Sequence, residues 1–459
     1  MRCGLREPLR RFTSGLALTK SWQSTPRPKQ TGISFHQGLA QAIVFLGRRH
    51  ITGSTTKELA KTPLYDCHVI AKGKMAPFAG FAMPLEYADQ SHQESHHWTR
   101  KSASLFDVSH MVQHRVSGPL AQELLMTVTP SSLDKLGVGT STLTTLLNNQ
   151  GGIVDDTVIT RIGIDSFYMV TNAARRDADV AYLQDNIQEL LGERASPEHV
   201  QWEILEHHGL LALQGPKAAG VLQSLLVTTE NPSDADLSTL YFGQSRHLRL
   251  RLFSPALLIT RTGYTGEDGF EISIPASDAA TSRELSCNIA HALLGDGSVV
   301  RWAGLAARDS LRLEAGMCLY GHDIDEHTTP SMAGLTWVVG KCRRSTETTL
   351  PRFKGQEAVL AHIEKPASMP QRRVGMFVDK GPIAREGADI LDPESGEVIG
   401  KVTSGCPSPS LGGRNIAMGM VKNGAHKRGT KVAIRVRNKV VKAEITKLPF
   451  VESRFHRPP

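Results

Sequence analysis

The sequence predicts an α+β fold that gives way, near its C-terminus, to a small antiparallel β-barrel or sandwich. Two segments share one plan: HRVSGPLAQELL (114–125) and LALQGPKAAGVLQSLL (211–226) each set a short apolar strand before Gly-Pro and an amphipathic helix. That plan fits split βαβ units of the ferredoxin-like kind, with Pro119 and Pro216 expected at the first helical position, where a missing N–H costs nothing. From Arg373 onward the helical period vanishes. Short strands recur there (RVGMFV, ADILD, VIGKVTSG, NIAMGMV, KVAIRV, KVVKAEI), separated by Gly, Pro and Asn turns.

Composition bounds the function. With 459 residues, 40% hydrophobic and 21% charged, the chain has material for several domains with apolar cores. The net charge of +8 suggests nucleic acid until it is located. Residues 1–61 hold eleven Lys/Arg against Glu7 and Glu58, a net +9, so the remainder carries −1. A nearly neutral body argues against phosphate-backbone binding. The leader is Arg-rich, Ser/Thr-rich and almost free of acids, the composition of a mitochondrial transit peptide. Its longest apolar patch, around 40–46, is too short to span a bilayer. Six scattered cysteines with no CxxC pair predict free thiols in a reducing matrix rather than a zinc ribbon or a disulfide framework.

In chain order, residues 62–87 read as strand and turn segments and 91–104 as a helix carrying His92, His96 and His97. The HxxxH pair faces one side of that helix, but the Glu is misplaced for HExxH and no third ligand follows, so a hydrogen-bonded face is expected rather than zinc. Asp107, in SLFDVSHM, sits alone among apolar residues. Such a carboxylate is paired, catalytic, or caps a turn through nearby N–H groups. GGIVDDTVITR (151–161) reads as a turn into a strand, and FYMVTNAA as a strand ending at Asn172. The next helix has Val180, Leu183, Ile187 and Leu190 on one stripe, with Gly192 closing it. Helices are also expected over 277–295 and 303–316. Arg308 falls within the second, where a surface ion pair is the ordinary expectation.

RTGYTGEDGFEISIP is the least generic stretch. Gly263, Gly266 and Gly269 recur every three residues, which suits a bent strand entry where something approaches the main chain closely. The strand that follows alternates, with Phe270, Ile272 and Ile274 on one face and Glu271 on the other. A carboxylate facing a cavity there accepts two parallel N–H bonds from a planar edge such as a pterin's amino-pyrimidinone ring; an exposed Glu on a Gly-rich hairpin is the plainer alternative. GxxGxxG is not GxGxxG and supports no dinucleotide site. Beyond it, 319–330 is an acidic His-containing loop without EF-hand spacing. In KVAIRVR, Lys431, Arg435 and Arg437 share a strand face that is either solvated or meets an acidic partner.

Taken together, FDVSHM, GGIVDD, LALQGP, RTGYTGEDGFEI, GLAARDSLRLEAG, YGHDIDEHTTP and TSGCPSPSL resemble the aminomethyltransferase (T-protein) family of the glycine cleavage system, from about Thr62 to Val451. The resemblance implies a three-domain cloverleaf: two α+β units (62–340), a linker or excursion (341–372), a C-terminal β-barrel (373–451) and a tail (452–459), after the 1–61 leader. It implies a mitochondrial matrix enzyme that passes the methylene carbon from the aminomethyl-lipoyl arm of H-protein to tetrahydrofolate, releasing ammonia, alongside the P- and L-proteins. No metal, flavin, nicotinamide, nucleic acid or membrane insertion is implied. The family's catalytic aspartate is placed on Asp107, its pterin-binding glutamate on Glu271 and a folate-binding arginine on Arg308. A family tyrosine that contacts folate falls on Phe455. The competing reading, a non-catalytic folate-binding iron–sulfur assembly factor of the same fold, carries a Lys-Gly-Cys-Tyr motif where this chain has Arg261-Thr-Gly-Tyr. Folate domains of dimethylglycine or sarcosine dehydrogenases come with a flavin domain for which this chain has no room, and a demethylase on the same scaffold is a further alternative.

Overall fold

A computed structural model describes residues 58–192, 196–227, 235–251, 253, 255–345, 347 and 349–459. The expected transit peptide lies almost wholly outside the described residues. The N-terminal segment contains α1 (Tyr65–Ile70), the hairpin β1 (Gly73–Phe78) and β2 (Phe81–Tyr87), α2 (His92–Lys101) and β3 (Ala103–Asp107). α1 is a short helix where strand and turn were expected. α2 starts at a capping box in which Ser91 Oγ accepts from Glu94 N while the Glu94 carboxylate accepts from Ser91 N at 2.7 Å.

The first α+β unit comprises β4 (Val112–Ser117), α3 (Ala121–Val128), β5 (Thr140–Leu147), β6 (Ile153–Gly163), β7 (Ser166–Thr171), α4 (Arg176–Leu191) and β8 (Gln201–Ile204). Its five strands run in the order β5-β6-β7-β4-β8, all antiparallel. Without β5 this is the ferredoxin-like order that the strand–Gly-Pro–helix plan predicts. The second unit comprises β9 (Gly209–Gln214), α5 (Ala218–Leu225), β10 (Ser245–Leu248), β11 (Leu257–Thr260), β12 (Gly269–Ile274), α6 (Ala279–Leu294) and β13 (Val300–Trp302). In both units the Gly-Pro residues form a turn ahead of the helix, which starts two residues past the proline.

The second sheet has the order β10-β11-β12-β9-β3-β13. β3 pairs antiparallel with β9 and parallel with β13. It thus occupies the place next to β9 that the unit's closing strand takes in a ferredoxin-like sheet, and β13 is displaced to the edge. The two units are therefore not consecutive blocks of sequence, because the stretch before β4 completes the second. Leu64, Cys67, Ala103 and Leu105 accordingly share a core with Leu211, Ile272 and Ile289.

The two sheets face each other. Phe106, Ala212 and Leu258 on one meet Tyr168 and Val170 on the other, while helices cover the outer faces. α7 (Leu305–Glu314) enters this interface with Ala307 and Leu311, and its last turn sends Leu313 against Cys406, Ile416 and Met418 of the C-terminal unit. Residues 341–372 are no loose linker. Arg343 is buried, its guanidinium donating to the carbonyls of Met126, Thr129, Ser131 and Pro351, and α8 (Gln356–Glu364) packs Val359 against Ile153 and Phe353. The unit that follows is β14 (Gln371–Val378), β15 (Asp389–Leu391), β16 (Val398–Ser408), β17 (Arg414–Lys422), β18 (Lys431–Val436) and β19 (Lys439–Thr446). These close into a barrel, β14-β17-β16-β15-β18-β19, deciding against the sandwich. Val432 and Ile434 point inward, and Lys431 and Arg435 pair with Glu444 and Asp389 outside.

Cys67 and Cys287 form a disulfide between α1 and α6, against the expectation of free thiols. Scattered spacing gave no warning, because only the insertion of the N-terminal segment brings these positions together. Among the described residues no helix is long and apolar enough to cross a membrane.

Candidate active site

Where the two sheets, α7 and the barrel meet, they enclose a cavity of about 1930 Å³. Its walls come from β5 and β6, from the Thr262–Tyr264 turn, from α7, from Arg385 and Arg435 of the barrel, and from the C-terminal tail. Single small-molecule sites typically occupy roughly 300–1,000 Å³. This space accommodates two reactants.

Glu271 projects into the cavity as the strand period requires, opposite in direction to its buried neighbours Phe270 and Ile272. Arg308 reaches the same cavity from α7. It is half-buried rather than in a surface pair, because the face of α7 that carries it is turned to the other units. Its guanidinium lies 4.9 Å from the ring centre of Tyr264, and its Nη1 is buried with no hydrogen-bond partner. Burial pushes the Glu271 carboxyl up, with Arg308 pulling it partly back; burial likewise lowers Arg308, against the pull of Glu271 and Tyr264. The two groups feel each other's charge across the cavity without satisfying each other's hydrogen bonds. Charged groups in that state, lining a cavity, are matched to a polar ligand.

Asp107 is placed differently. It ends β3 in register with Leu211, on the sheet face opposite Glu271, and it is not part of the cavity lining. Its carboxylate accepts from Thr62 Oγ1 at 2.6 Å, from His68 Nε2 at 2.9 Å and from Ser109 N at 2.9 Å, and the other nitrogen of His68 meets Tyr87 Oη at 2.9 Å. Burial alone would raise this carboxyl, but His68, Thr62 and the Ser109 amide outweigh it and hold it below its ordinary value. The bond to Ser109 N makes Asp107 the cap of the turn that carries His110 and Met111 into the cavity.

The carboxylate that does line the cavity near Asn172 is Asp156 of β6, which the sequence reading passed over as part of a turn into a strand. Burial, reinforced by the charge of Asp155, pushes Asp156 up to about 7. Asn172 donates through Nδ2 to Asp155 Oδ1 at 2.8 Å and Asp156 Oδ1 at 2.9 Å, bridging the pair. The available signal was two consecutive aspartates in a strand of Ile, Val and Thr, where alternation forces one of them inward.

Gly263 and Gly269 are pressed by neighbouring protein atoms: a Cβ would stand 1.9 Å from Gln214 Oε1 at the first, and 2.4 Å from Leu213 O and 2.5 Å from Gln214 Nε2 at the second. The tail is docked. Phe455 lines the cavity and stacks on Phe242 with ring centres 4.1 Å apart, held by Arg454 N to Gly266 O and by His456 against Tyr241. His96 is buried and bonded to Ser310, Glu314 and Ser410. No cluster of three or more His, Cys, Asp or Glu fit to hold a metal occurs among the described residues.

Two family models cover this architecture: GCVT N-terminal domain over residues 64–343, and glycine cleavage T-protein C-terminal barrel domain over 371–452. The chain belongs to the glycine cleavage T-protein family. Among T-protein relatives, the mitochondrial aminomethyltransferase of Saccharomyces cerevisiae is 45% identical over 401 residues, 87% of this chain and 96% of its own. That of Mesembryanthemum crystallinum is 45% identical over 432 residues, 94% of this chain and 98% of its own. The crystal structure of the glycine cleavage system aminomethyltransferase T from Bartonella henselae superposes with a TM-score of 0.75 at 39% identity, covering 87% of this chain and all of that one. Aminomethyl transfer within the glycine cleavage system is thus the activity of this chain, and its location is mitochondrial. The iron–sulfur assembly reading finds no support among these relatives.

Proposed function

We propose that the cavity binds tetrahydrofolate by its pterin head against Glu271 and Arg308, and admits the aminomethyl-lipoyl arm of H-protein as the second reactant. The observation that carries this is the pair itself: a half-buried carboxylate and a half-buried guanidinium lining one cavity, with Nη1 of Arg308 enclosed and given no partner by the protein. Glu271 accepts two parallel N–H bonds from the amino-pyrimidinone edge, and Arg308 donates to the ring's acceptor side. The stacked Phe242 and Phe455 offer a flat apolar wall to the aryl part of the cofactor.

The reaction turns a thioaminal carbon into a methylene bridge. Two folate N–H protons leave; one goes to the departing nitrogen as ammonia and the other to the lipoyl sulfur as a thiol. Holding both reactants in one closed space supplies much of the barrier reduction. Proton transfer adds roughly 10²–10⁴-fold when the group titrates near the working pH. Asp156, poised at about 7, meets that requirement. Asp107, the aspartate that the resemblance makes catalytic, is held ionised by His68, Thr62 and the Ser109 amide, and it caps the turn that carries His110 and Met111 into the cavity.

The test mixes the purified protein with aminomethylated H-protein, with and without tetrahydrofolate, and measures ammonia and 5,10-methylenetetrahydrofolate. The expected result is release that requires both reactants. Release indifferent to either one rejects the assignment.

A further inference from the structure

His68, His96, His110 and His114 are all buried, and three of them behave as structural histidines do. His68 meets Asp107 through Nε2 and Tyr87 Oη through Nδ1, each at 2.9 Å. His96 meets Ser310 Oγ at 2.8 Å and Glu314 at 3.1 Å. His114 meets Thr171 Oγ1 at 3.1 Å and accepts from Trp202 Nε1 at 3.3 Å. In each, the protein bonds both ring nitrogens. His110 is the exception, and it is the one of the four that lines the cavity. Only 6% of it is exposed, yet its Nδ1 is enclosed without a partner, and among the described residues no protein group bonds to either nitrogen. A buried polar ring left unbonded carries a cost that a polar ligand in the cavity recovers.

The ring is nonetheless firmly placed. Val108 N donates to Leu210 O at 3.0 Å and Leu210 N to Ser109 Oγ at 2.9 Å, pinning the turn to β9 just before His110. Met111 N closes it on Val108 O at 3.0 Å just after. Two rings of the β1–β2 hairpin then flank the imidazole: Phe78, itself in the cavity wall, edge-on at 5.5 Å between ring centres, and Phe81 at 6.3 Å. Burial lowers His110 to about 4, with Asp107 pulling it up and Arg308 pushing it down. At the working pH it is therefore a neutral imidazole with one N–H and one bare nitrogen. Such a nitrogen accepts a hydrogen bond without keeping the proton.

We propose that His110 is a catalytic residue that accepts a hydrogen bond from the N–H of a reacting amine, either the folate nitrogen that attacks or the aminomethyl nitrogen that leaves, and so fixes the direction of that nitrogen relative to the transferred carbon. No proton passes to the ring. What the contact adds is orientation within an enclosed space. The inference rests on the reading that both reactants meet in this cavity.

The test compares wild type with H110F, H110N and H110Q, with melting temperature reporting the fold. Turnover to methylenetetrahydrofolate, KM for aminomethylated H-protein and tetrahydrofolate affinity by direct titration are measured for each. H110F keeps a ring between Phe78 and Phe81 but offers no acceptor, and its turnover is expected to fall about 10–100-fold, the effect of one hydrogen bond at reacting atoms. H110M takes its place should H110F fail to fold. H110N or H110Q, each bearing an amide oxygen, is expected to recover roughly tenfold over H110F. Weaker tetrahydrofolate binding by H110F identifies the folate nitrogen as the partner; a raised KM for aminomethylated H-protein with folate affinity within about threefold identifies the aminomethyl nitrogen. A folded H110F with turnover within about threefold of wild type overturns the proposal. So do equal losses in H110F, H110N and H110Q, which mark a packing role, and an H110N whose pH profile loses a limb near neutrality, which makes the histidine a proton carrier. Failure of the cavity reading shows separately, as wild-type ammonia release that does not need both reactants.

Discussion

Asp107 is a buried aspartate and Asp156 a half-buried one, on strands of two sheets that face each other, and their surroundings drive them in opposite directions. Asp107 is met by Thr62, His68 and a backbone N–H, so its charge is stabilised and its carboxyl sits below the ordinary value. Asp156 has a single side-chain donor, shared with a second carboxylate, and is pushed to about 7. Burial alone therefore says little about what an aspartate does. The number and charge of its donors decide whether it anchors a fold or exchanges a proton at neutral pH.

The largest expected effect that would break this comparison is at turnover. D156N is predicted to lose about 10²–10⁴-fold in turnover, with folate affinity nearly unchanged. D107N instead should lower stability by about 3 kcal/mol at pH 7.5, because His68 and Thr62 lose their buried acceptor, and should retain turnover in whatever fraction stays folded. The pH signs differ as well. The stabilisation from Asp107 is present above its unfolded value of about 4 and is lost as pH falls through its lower folded value, so the melting-temperature deficit of D107N shrinks in acid. Asp156 and Asp179, raised to about 7, hold extra protons in the folded state; that stabilisation is full below about pH 4 and disappears as pH rises through 7. The D156N melting temperature, relative to wild type, should thus rise between pH 5 and pH 8. A flat difference would show that Asp156 is not perturbed.

E271A is expected to weaken tetrahydrofolate binding by about 10–100-fold in a direct titration, as a charge-assisted pair of bonds is removed, with a smaller effect on turnover at saturating folate. R308K keeps the charge but loses the planar fork, and a loss near tenfold in affinity is expected. The smallest effect belongs to F455Y, whose ring already stacks on Phe242; its folate affinity should stay within about threefold of wild type.

Local periodicity made much of this fold legible. The strand–Gly-Pro–helix segments, the barrel strands and the inward turn of Glu271 all follow from alternation or from the 3.6-residue repeat. What escaped depends on contacts distant in sequence. Arg308 looked like a surface residue because a helical wheel does not reveal which faces a neighbouring domain covers. Asp107 stood out as one acid among apolar residues, while Asp155 and Asp156 looked like turn residues next to Gly-Gly; the difference between them lies in His68 and Thr62 on one side and Asn172 on the other. The disulfide and the docked tail were invisible for the same reason. The first joins segments that are adjacent only after β3 has entered the second sheet, and the second lays the end of the chain on Phe242 and Gly266, far back in sequence.

That entry has a bearing on how the protein is made. β3 is finished early as the chain emerges N-terminus first, but its antiparallel partner β9 comes about a hundred residues later and β13 nearly a hundred after that. Until then an apolar strand waits with both hydrogen-bonding edges open, an invitation to pair with another molecule. Arrested chains ending before Gly209 should aggregate or cling to a holding chaperone, and those extending past Trp302 should be released from it.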